Sequence, residues 1–436
     1  MTPPAVDASP AQGDLAEAQY LLTTRAIRQR AEALYQLGTR GALASFAIDE
    51  AQLATVAQLV VQVTRTVYPD VRAIPNHTRF RHFDVGGVDR VGRLDAAMSA
   101  CARSPGGAQG LSSAARLSAK FELAITSVLL DAGAGERWSY REPGGQTYTR
   151  SEGLAVASYH LFASGALSDD PVGDPYRADA AALARFGDDD LARALQVSAD
   201  NPLPGLSGRA SILRRLGEVI GRKPQLFGGG ATTTPRLGGL GLYLAAQARE
   251  TGPAGGAGSG SLPATAVLDA VLEALGDIWP GREVCAGRNL GDVWTHPVVG
   301  RVPFHKLSQW LTYSLCEPLE ESGVRITDMD ALTGLAEYRN GGLFVDGGVL
   351  VPRSPAVLSE THDVSSSLVV EWRALTVALL DRLAVEMRGL LGLTAAELPL
   401  AKVLEGGSWR AGRQLAQQRR PDGAPPLRIR SDGTVF

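Results

Sequence analysis

The chain has 436 residues, 44% of them hydrophobic and 20% charged, a composition that suits a folded globular protein with room for a large core. A formal net charge of −3 argues against a nucleic-acid-binding surface as the main activity, and Cys101, Cys285 and Cys316 lie far apart with no CxxC pair, so neither a disulfide framework nor a structural zinc site is indicated. No run of about twenty apolar residues could cross a membrane, and the first nineteen residues lack the basic-then-apolar order of a signal peptide, so the expectation is a cytoplasmic protein whose residues 1–15 form a disordered lead.

From there the apolar positions recur with helical period over residues 15–37, 50–66, 111–130, 151–165, 209–220, 237–249, 264–275 and 366–390. Strand signals are few. Residues 138–140 and 147–149 flank Glu142-Pro143-Gly144-Gly145 and predict one small β-hairpin. The fold class that follows is mainly α, with residues 16–436 as a single helical unit and no internal repeat. The tract 251–264, TGPAGGAGSGSLPA, is too glycine-rich to hold one conformation and is expected to be a flexible surface loop. Gly228-Gly229-Gly230 and Gly238-Gly239-Leu240-Gly241 look like phosphate loops, but no strand precedes them and no GK[ST] follows; turns account for them better. PLPGLSG at 202–208 resembles the hairpin of helix-hairpin-helix DNA binders, which an acidic chain does not favour, and neither HExxH nor GxSxG occurs.

Four polar clusters interrupt the helices. In NHTRFRHFDVGG, Arg79, Arg81 and His82 put three cationic or potentially cationic groups within four residues, a set suited to a phosphate or carboxylate because guanidinium contacts are strong and directional; a basic surface loop is the plainer alternative. In SVLLDAGAGERWSY and TYTRSEGLAVASYHL, Asp131 ends one apolar helix and Glu152 starts the next, as caps or as site carboxylates. Trp138 and Tyr140 could furnish an aromatic wall for a planar base or ureide. GDVWTHP at 291–297 and LEGGSWRAGR at 404–413 read as structured turns with aromatic anchors and receive no chemical role.

The densest stretch is 302–350. Pro303 is placed in the first turn of a helix that runs to Pro318 and Gly323, with Lys306, Gln309, Trp310 and Tyr313 on one face. Asp328 or Asp330 is expected to start a second helix, closed by Gly341-Gly342, on which Asp330, Thr333, Glu337 and Asn340 form a polar stripe. Such a stripe is ordinarily a solvated face. Yet only four of the 43 basic residues are lysine, and a partly buried lysine facing a glutamate can bind an anion or move a proton where an arginine would not serve. Antiparallel packing of the two helices brings Lys306 and Glu337 to one cavity.

IPNHTRFRHFDVGGVDR, SVLLDAGAG, RSEGLAVAS, VPFHKLSQWLTYSLCEPL, LTGLAEYRNGGLFVD and LEGGSWRAGR together resemble the uracil catabolism protein 4 family of fungi and bacteria, over most of the chain after residue 70. That resemblance implies a part in degrading uracil through its ribonucleotide and a ring-opened, ribosylurea-like intermediate. More distantly, the order of a W-x-Y hairpin, a helix, F-x-K-x-x-Q and LT-x-x-A-[DE]-Y-R is similar to queuosine 5′-phosphate N-glycosylase, which implies a helical, DNA-glycosylase-like fold. Lys306 and Gln309 fall on that family's KxxQ, and Glu337-Tyr338-Arg339 on its Asp-Tyr-Arg. Glutamate stands here where aspartate is usual, and Asn340-Gly341-Gly342 replaces Val-Pro-Gln, so leaving-group recognition does not carry over.

Cleaving an N-glycosidic bond builds positive charge on the anomeric carbon and negative charge on the departing nitrogen, which calls for a fixed carboxylate and a nearby cation. The expectation is therefore a metal-independent N-ribosyl hydrolase, needing no cofactor, that acts on a phosphorylated riboside and releases ribose 5-phosphate. Glu337 and Lys306 are its catalytic candidates. The substrate-binding candidates are Arg79, Arg81, His82, Asp131, Trp138, Glu152, His305, Gln309, Tyr338 and Arg339. Two alternatives stand beside it: a hydrolase or lyase acting on the opened pyrimidine portion, and a non-catalytic protein that holds the intermediate for other enzymes of uracil catabolism. Neither nucleic acid nor membrane is an expected partner.

Overall fold

The computed structural model describes residues 10–101, 111–228, 234–250 and 260–430. It is mainly helical. The period over 15–37 divides at Thr23, whose hydroxyl accepts the Ala26 N–H at 3.1 Å and starts a new helix, so Pro10–Leu21 and Thr24–Thr39 stand in its place. Ser112 and Ser366 cap Ser113–Leu129 and Ser367–Leu391 in the same way. The expected lead is corrected in part, since residues 10–15 already belong to the first helix; residues 1–9 lie outside the described residues.

Three helices form the interior because they are apolar or internally satisfied all round. Leu117 to Leu129, Lys306 to Cys316 and Val369 to Leu380 are buried without interruption. The Lys306–Glu321 helix packs on Ser113–Leu129 and on Ala264–Leu275, while Ser367–Leu391 packs on Thr24–Thr39 and Ala51–Val67. One hydrophobic cluster runs from Ile27 to Leu427, and a small satellite joins Ala18 and Leu21 to Cys285, Leu290 and Val293. Among the described residues, no helix is long and apolar enough to cross a membrane.

The expected hairpin forms, Ser139–Arg141 against Thr147–Thr149 with Tyr140 opposite Tyr148. Among the described residues, five further two-stranded ladders accompany it. Their strands are two to four residues long, too short for an alternating pattern to show in sequence. One corrects the loop at 251–264: Ser261–Pro263 pairs in parallel with Arg325–Thr327 and Ala264 starts a helix, while residues 251–259, like Gly229 and Gly230, lie outside the described residues.

Two further corrections shape the site. Pro303 ends the strand Gly300–Pro303, paired with Val293–His296, and the helix begins only at Lys306, after His305 has turned the chain in the left-handed region at φ 47°. Nor does a single helix run from Asp328 to Gly341-Gly342. A 3₁₀ turn at Met329–Ala331 gives way to extended chain, and the helix proper is Tyr338–Asp346 with Glu337 as its N-cap. The two glycines lie inside it, where the helix meets its neighbours: a Cβ on Gly341 would come within 2.5 Å of the Trp372 ring, and one on Gly342 within 3.0 Å of Pro426. On the next face, Gly412 of the Trp409–Arg419 helix would place a Cβ 2.0 Å from the Arg339 carbonyl.

Candidate functional site

Three helix N-termini open onto one cavity of about 570 Å³: Lys306 of the Lys306–Glu321 helix, Glu337 and Tyr338 of the Tyr338–Asp346 helix, and Arg150 of the Arg150–Ala163 helix. The positive ends of their helix dipoles point toward the cavity. Asp131 and the turn after it, the segment bearing His77 and His82, Trp310, Trp409, Arg413 and the chain near Leu427 complete the walls. The volume is that of a site for a nucleotide-sized ligand.

Lys306 is buried, and its ammonium makes no hydrogen bond or ion pair among the described residues; it lies over the Trp310 ring, 5.7 Å from the ring centre. Burial pulls its pKa below the ordinary lysine value, against the opposing charges of Glu337 and Asp131. The Asp292 carboxylate accepts the Lys306 backbone N–H at 3.0 Å and so fixes the start of the helix. Asp292 is itself held by two 2.7 Å bonds from Arg373 and by Trp294 Nε1. The GDVWTHP segment thus acquires a role: its hairpin presents Asp292 to the helix that carries Lys306.

Glu337 lines the cavity while its two oxygens accept the backbone N–H groups of Arg339 and Asn340, at 2.7 and 2.6 Å. This double cap locks the carboxylate in one orientation and leaves each oxygen a second lone pair. Asp131 also lines the cavity. Its Oδ2 accepts from Arg79 Nη1 and from the Ser151 hydroxyl, while its Oδ1 accepts nothing among the described residues.

The expected anion cluster at 79–82 is not assembled as such. Arg79 is wholly buried, bonds Ser127 Oγ, Asp131 and Ser151, and does not line the cavity. Arg81 points elsewhere and pairs with Glu317. His82 does line the cavity, but burial, the Arg79 charge and His77 hold its imidazole well below the usual histidine range, so it brings no positive charge. The arginines that line the cavity are Arg150, Arg339, Arg413 and Arg428, and the charges of Arg150 and Arg413 act on Arg339. Arg413 pairs with Glu152 at 2.6 Å, while Arg150 and Arg339 donate to the carbonyls of Asp422 and Gly423. Arg150 sits at φ 56°, a strained placement for an arginine, at the point where the hairpin passes into its helix.

Of the remaining candidates, Glu152, Tyr338 and Arg339 line the cavity and Trp138, His305 and Gln309 do not. Trp138 is fully buried and donates to the Leu195 carbonyl, so it anchors the hairpin rather than walling the site. His305 is tied by Nε2 to the Leu21 carbonyl at 2.9 Å. Gln309 accepts the Thr333 N–H from inside the core. The aromatic wall is built instead from Trp310 and Trp409, with the rings of His77 and His82 between them. Trp409 comes from LEGGSWRAGR, where the sequence marks it only as an aromatic anchor, and Trp310 from the lysine's own helix, on the face expected to carry Lys306.

Among the described residues, the one grouping of ligand-type side chains within reach of a common metal ion is Asp14, Glu17 and Cys285, away from this cavity. Arg301 contacts both Glu17 and Cys285 there and already supplies the positive charge.

Residues 20–436 match the family described as "Protein of unknown function (DUF1688)". Protein urg3 of Schizosaccharomyces pombe is 38% identical over 422 residues, covering 95% of this chain and 98% of that protein. Uracil catabolism protein 4 of Lachancea kluyveri is 36% identical over 406 residues, covering 86% of this chain and 88% of its own length. Matches of this identity and extent mean that the chain belongs to the DUF1688 family, the family that includes uracil catabolism protein 4.

Proposed function

We propose that this protein acts in uracil catabolism as an N-glycosyl hydrolase, cleaving the bond between ribose 5-phosphate and the ureido nitrogen of a uridylate-derived ribosylurea. The observation that carries the proposal is the shared cavity of Lys306 and Glu337: an unpaired ammonium and a doubly anchored carboxylate beside an aromatic wall. The name of one relative, uracil catabolism protein 4, supplies the pathway, and the distant likeness to a queuosine 5′-phosphate N-glycosylase supplies the reaction type and a helical, DNA-glycosylase-like fold.

In this reading the ureide packs on Trp310 and Trp409, and Glu337 lies against the sugar ring to stabilise positive charge at the anomeric carbon. Lys306 donates a proton to the departing nitrogen. Its lowered pKa favours that role over a phosphate contact, since an ammonium of ordinary pKa is a poor acid at neutral pH. The 5′-phosphate goes to Arg150, Arg339 and Arg413, which face the cavity, and not to Arg79 or Arg81, which are spent on Asp131 and Glu317. Arg79 then serves by holding Asp131.

Product analysis with ribosylurea 5′-phosphate tests the proposal. Free ribose 5-phosphate and urea are expected. An intact riboside with an altered acyl part would mean chemistry on the opened pyrimidine instead, and tight binding without turnover would mean a carrier.

A further inference from the structure

Glu405 of the LEGGSWRAGR segment and the first histidine of NHTRFRH take no part in the scheme so far, yet the fold pairs them at the wall of the same cavity. His77 lines it, buried, with its ring stacked on Trp310 at a centroid distance of 6.0 Å and near Trp409 at 6.4 Å. Its Nδ1 lies 2.8 Å from Glu405 Oε2. Glu405 is buried as well, and its other oxygen takes the Tyr68 hydroxyl at 2.9 Å and Arg410 Nη2 at 3.0 Å. Although burial works against the charge, the His77 bond and the charges of His77 and Arg410 pull this carboxyl down to about 2. An ionised carboxylate only accepts, so the proton between the two side chains belongs to Nδ1, and in the neutral imidazole the lone pair lies on Nε2. Nε2 has no hydrogen-bond partner among the described residues, and it is not among the buried atoms left without one; the Nδ1 of His82, by contrast, is sealed in with no partner.

A second observation concerns the backbone. Glu405 stands in a π-helical turn, Leu404–Ser408, between the Leu400–Val403 and Trp409–Arg419 helices. Widened turns of this kind cost regular hydrogen bonding and recur at functional sites. This one is held by contact: a Cβ on Gly407 would come within 2.5 Å of Val60 Cγ1 and closer still to Thr64 Oγ1. Its effect is to turn Glu405 inward to His77 while Trp409, four residues on, still reaches the cavity.

We propose that His77 is a general base in this cavity and that Glu405 is the residue that positions it, a dyad that activates the attacking water. The proposal rests on the glycosidase reading for the identity of the bond broken. One water O–H proton passes to His77 Nε2 as the water oxygen bonds the anomeric carbon. The electron pair of the breaking C–N bond goes to the ureido nitrogen, which takes its proton from Lys306. His77 then returns a proton to the lysine through solvent, so that the net change is one water consumed. Glu337 stabilises the cationic sugar and takes no proton.

The test joins single-turnover release of ribose 5-phosphate from ribosylurea 5′-phosphate to a tautomer measurement by long-range ¹⁵N–¹H NMR on the imidazoles. His77→Gln is expected to lower turnover roughly 10²- to 10³-fold, the usual range for removing a general base, while its affinity for ribose 5-phosphate stays within about threefold. In the wild-type protein the His77 proton is expected on Nδ1, with an Nε2 resonance that moves when ribose 5-phosphate is added; Glu405→Gln is expected to mix the tautomers and to lower the rate without raising KM. Turnover by His77→Gln within about threefold of wild type, or a proton found on Nε2, overturns the dyad. Should the wild-type protein release no ribose 5-phosphate, the glycosidase reading falls, and the dyad is judged by the NMR measurement on the wild-type protein, which needs neither turnover nor a folded variant.

Discussion

Arg373 grips Asp292 with both terminal nitrogens, 2.7 Å at each oxygen, and Asp292 in turn accepts the backbone N–H of Lys306 at 3.0 Å. Arg373 is 1% exposed, so removing its partner strands a buried guanidinium. Asp292→Asn is expected to cost about 3–5 kcal/mol in chemical denaturation, the scale for breaking a buried pair from one side. Burial disfavours the Asp292 charge, but Arg373 and the bonds from Trp294 and Lys306 outweigh it and hold the carboxyl below its ordinary value. A depressed carboxyl contributes stability that is fully present above about pH 4, the unfolded value, and is lost as pH falls through the folded value. Acid unfolding of Asp292→Asn is therefore expected to be less steep than that of wild type, and an unchanged acid limb would remove Asp292 from this account.

Lys306 works in the opposite sense. Burial lowers its pKa, so the folded protein sheds this proton before the unfolded chain does, and stability is expected to rise with pH from the folded value up to the unfolded value of about 10.4. Lys306→Met keeps the length of the side chain and removes the charge. It is expected to raise stability by about 1–3 kcal/mol at neutral pH, to abolish that alkaline rise, and to lower turnover sharply. A less stable Lys306→Met protein would mean that the ammonium has a partner in solution.

The arginines separate two models of phosphate binding. Arg339→Ala is expected to weaken ribose 5-phosphate about ten- to hundredfold while leaving dephosphorylated ribose nearly unaffected, because a hydrogen bond to a charged group is worth about 1.5–3 kcal/mol. Arg81→Ala is expected to change neither, since Arg81 pairs with Glu317 outside the cavity. Calorimetric titration of both ligands into both variants decides the matter, and the reverse pattern would restore the 79–82 cluster as the anion site.

Close backbone contact sets the frame of the site. Gly412→Ala would push a Cβ to 2.0 Å from the Arg339 carbonyl, in the first turn of the helix that presents Glu337. A cost of about 1–3 kcal/mol in stability is expected, together with weaker ribose 5-phosphate binding. Gly389→Ala is its control: it lies within Ser367–Leu391 with nothing inside 4 Å of the added carbon, so a gain of roughly 0.5–1 kcal/mol is expected. Thermal unfolding of the two variants in parallel checks both signs.

What sequence could reveal followed the length scale of each signal. Ser113–Leu129 and Ser367–Leu391 repeat their apolar positions over four or more turns, and both helices lie close to their expected bounds. Lys306, Glu337, Asp131, Glu152 and Arg339 do share a cavity, since residues near helix ends are carried together when helices converge. The arginine run at 79–82 misled because charge density along the chain does not say which way each side chain turns, and Arg79 turns into the core. Trp138 misled for a related reason: a large aromatic is more often spent on packing than on a ligand. His77 and Glu405 are 328 positions apart, and nothing local marks either one; only the fold makes them a pair.

The central claim is that Glu337 stabilises an oxocarbenium-like sugar. Single-turnover release of ribose 5-phosphate by Glu337→Gln addresses it most directly, because glutamine keeps the shape and can still cap the helix while the charge is gone. A fall of roughly 10²–10³ in rate, with ligand binding retained, is the expected result. A near-normal rate in Glu337→Gln would contradict it and would pass the role to Asp131, whose Oδ1 faces no other partner among the described residues.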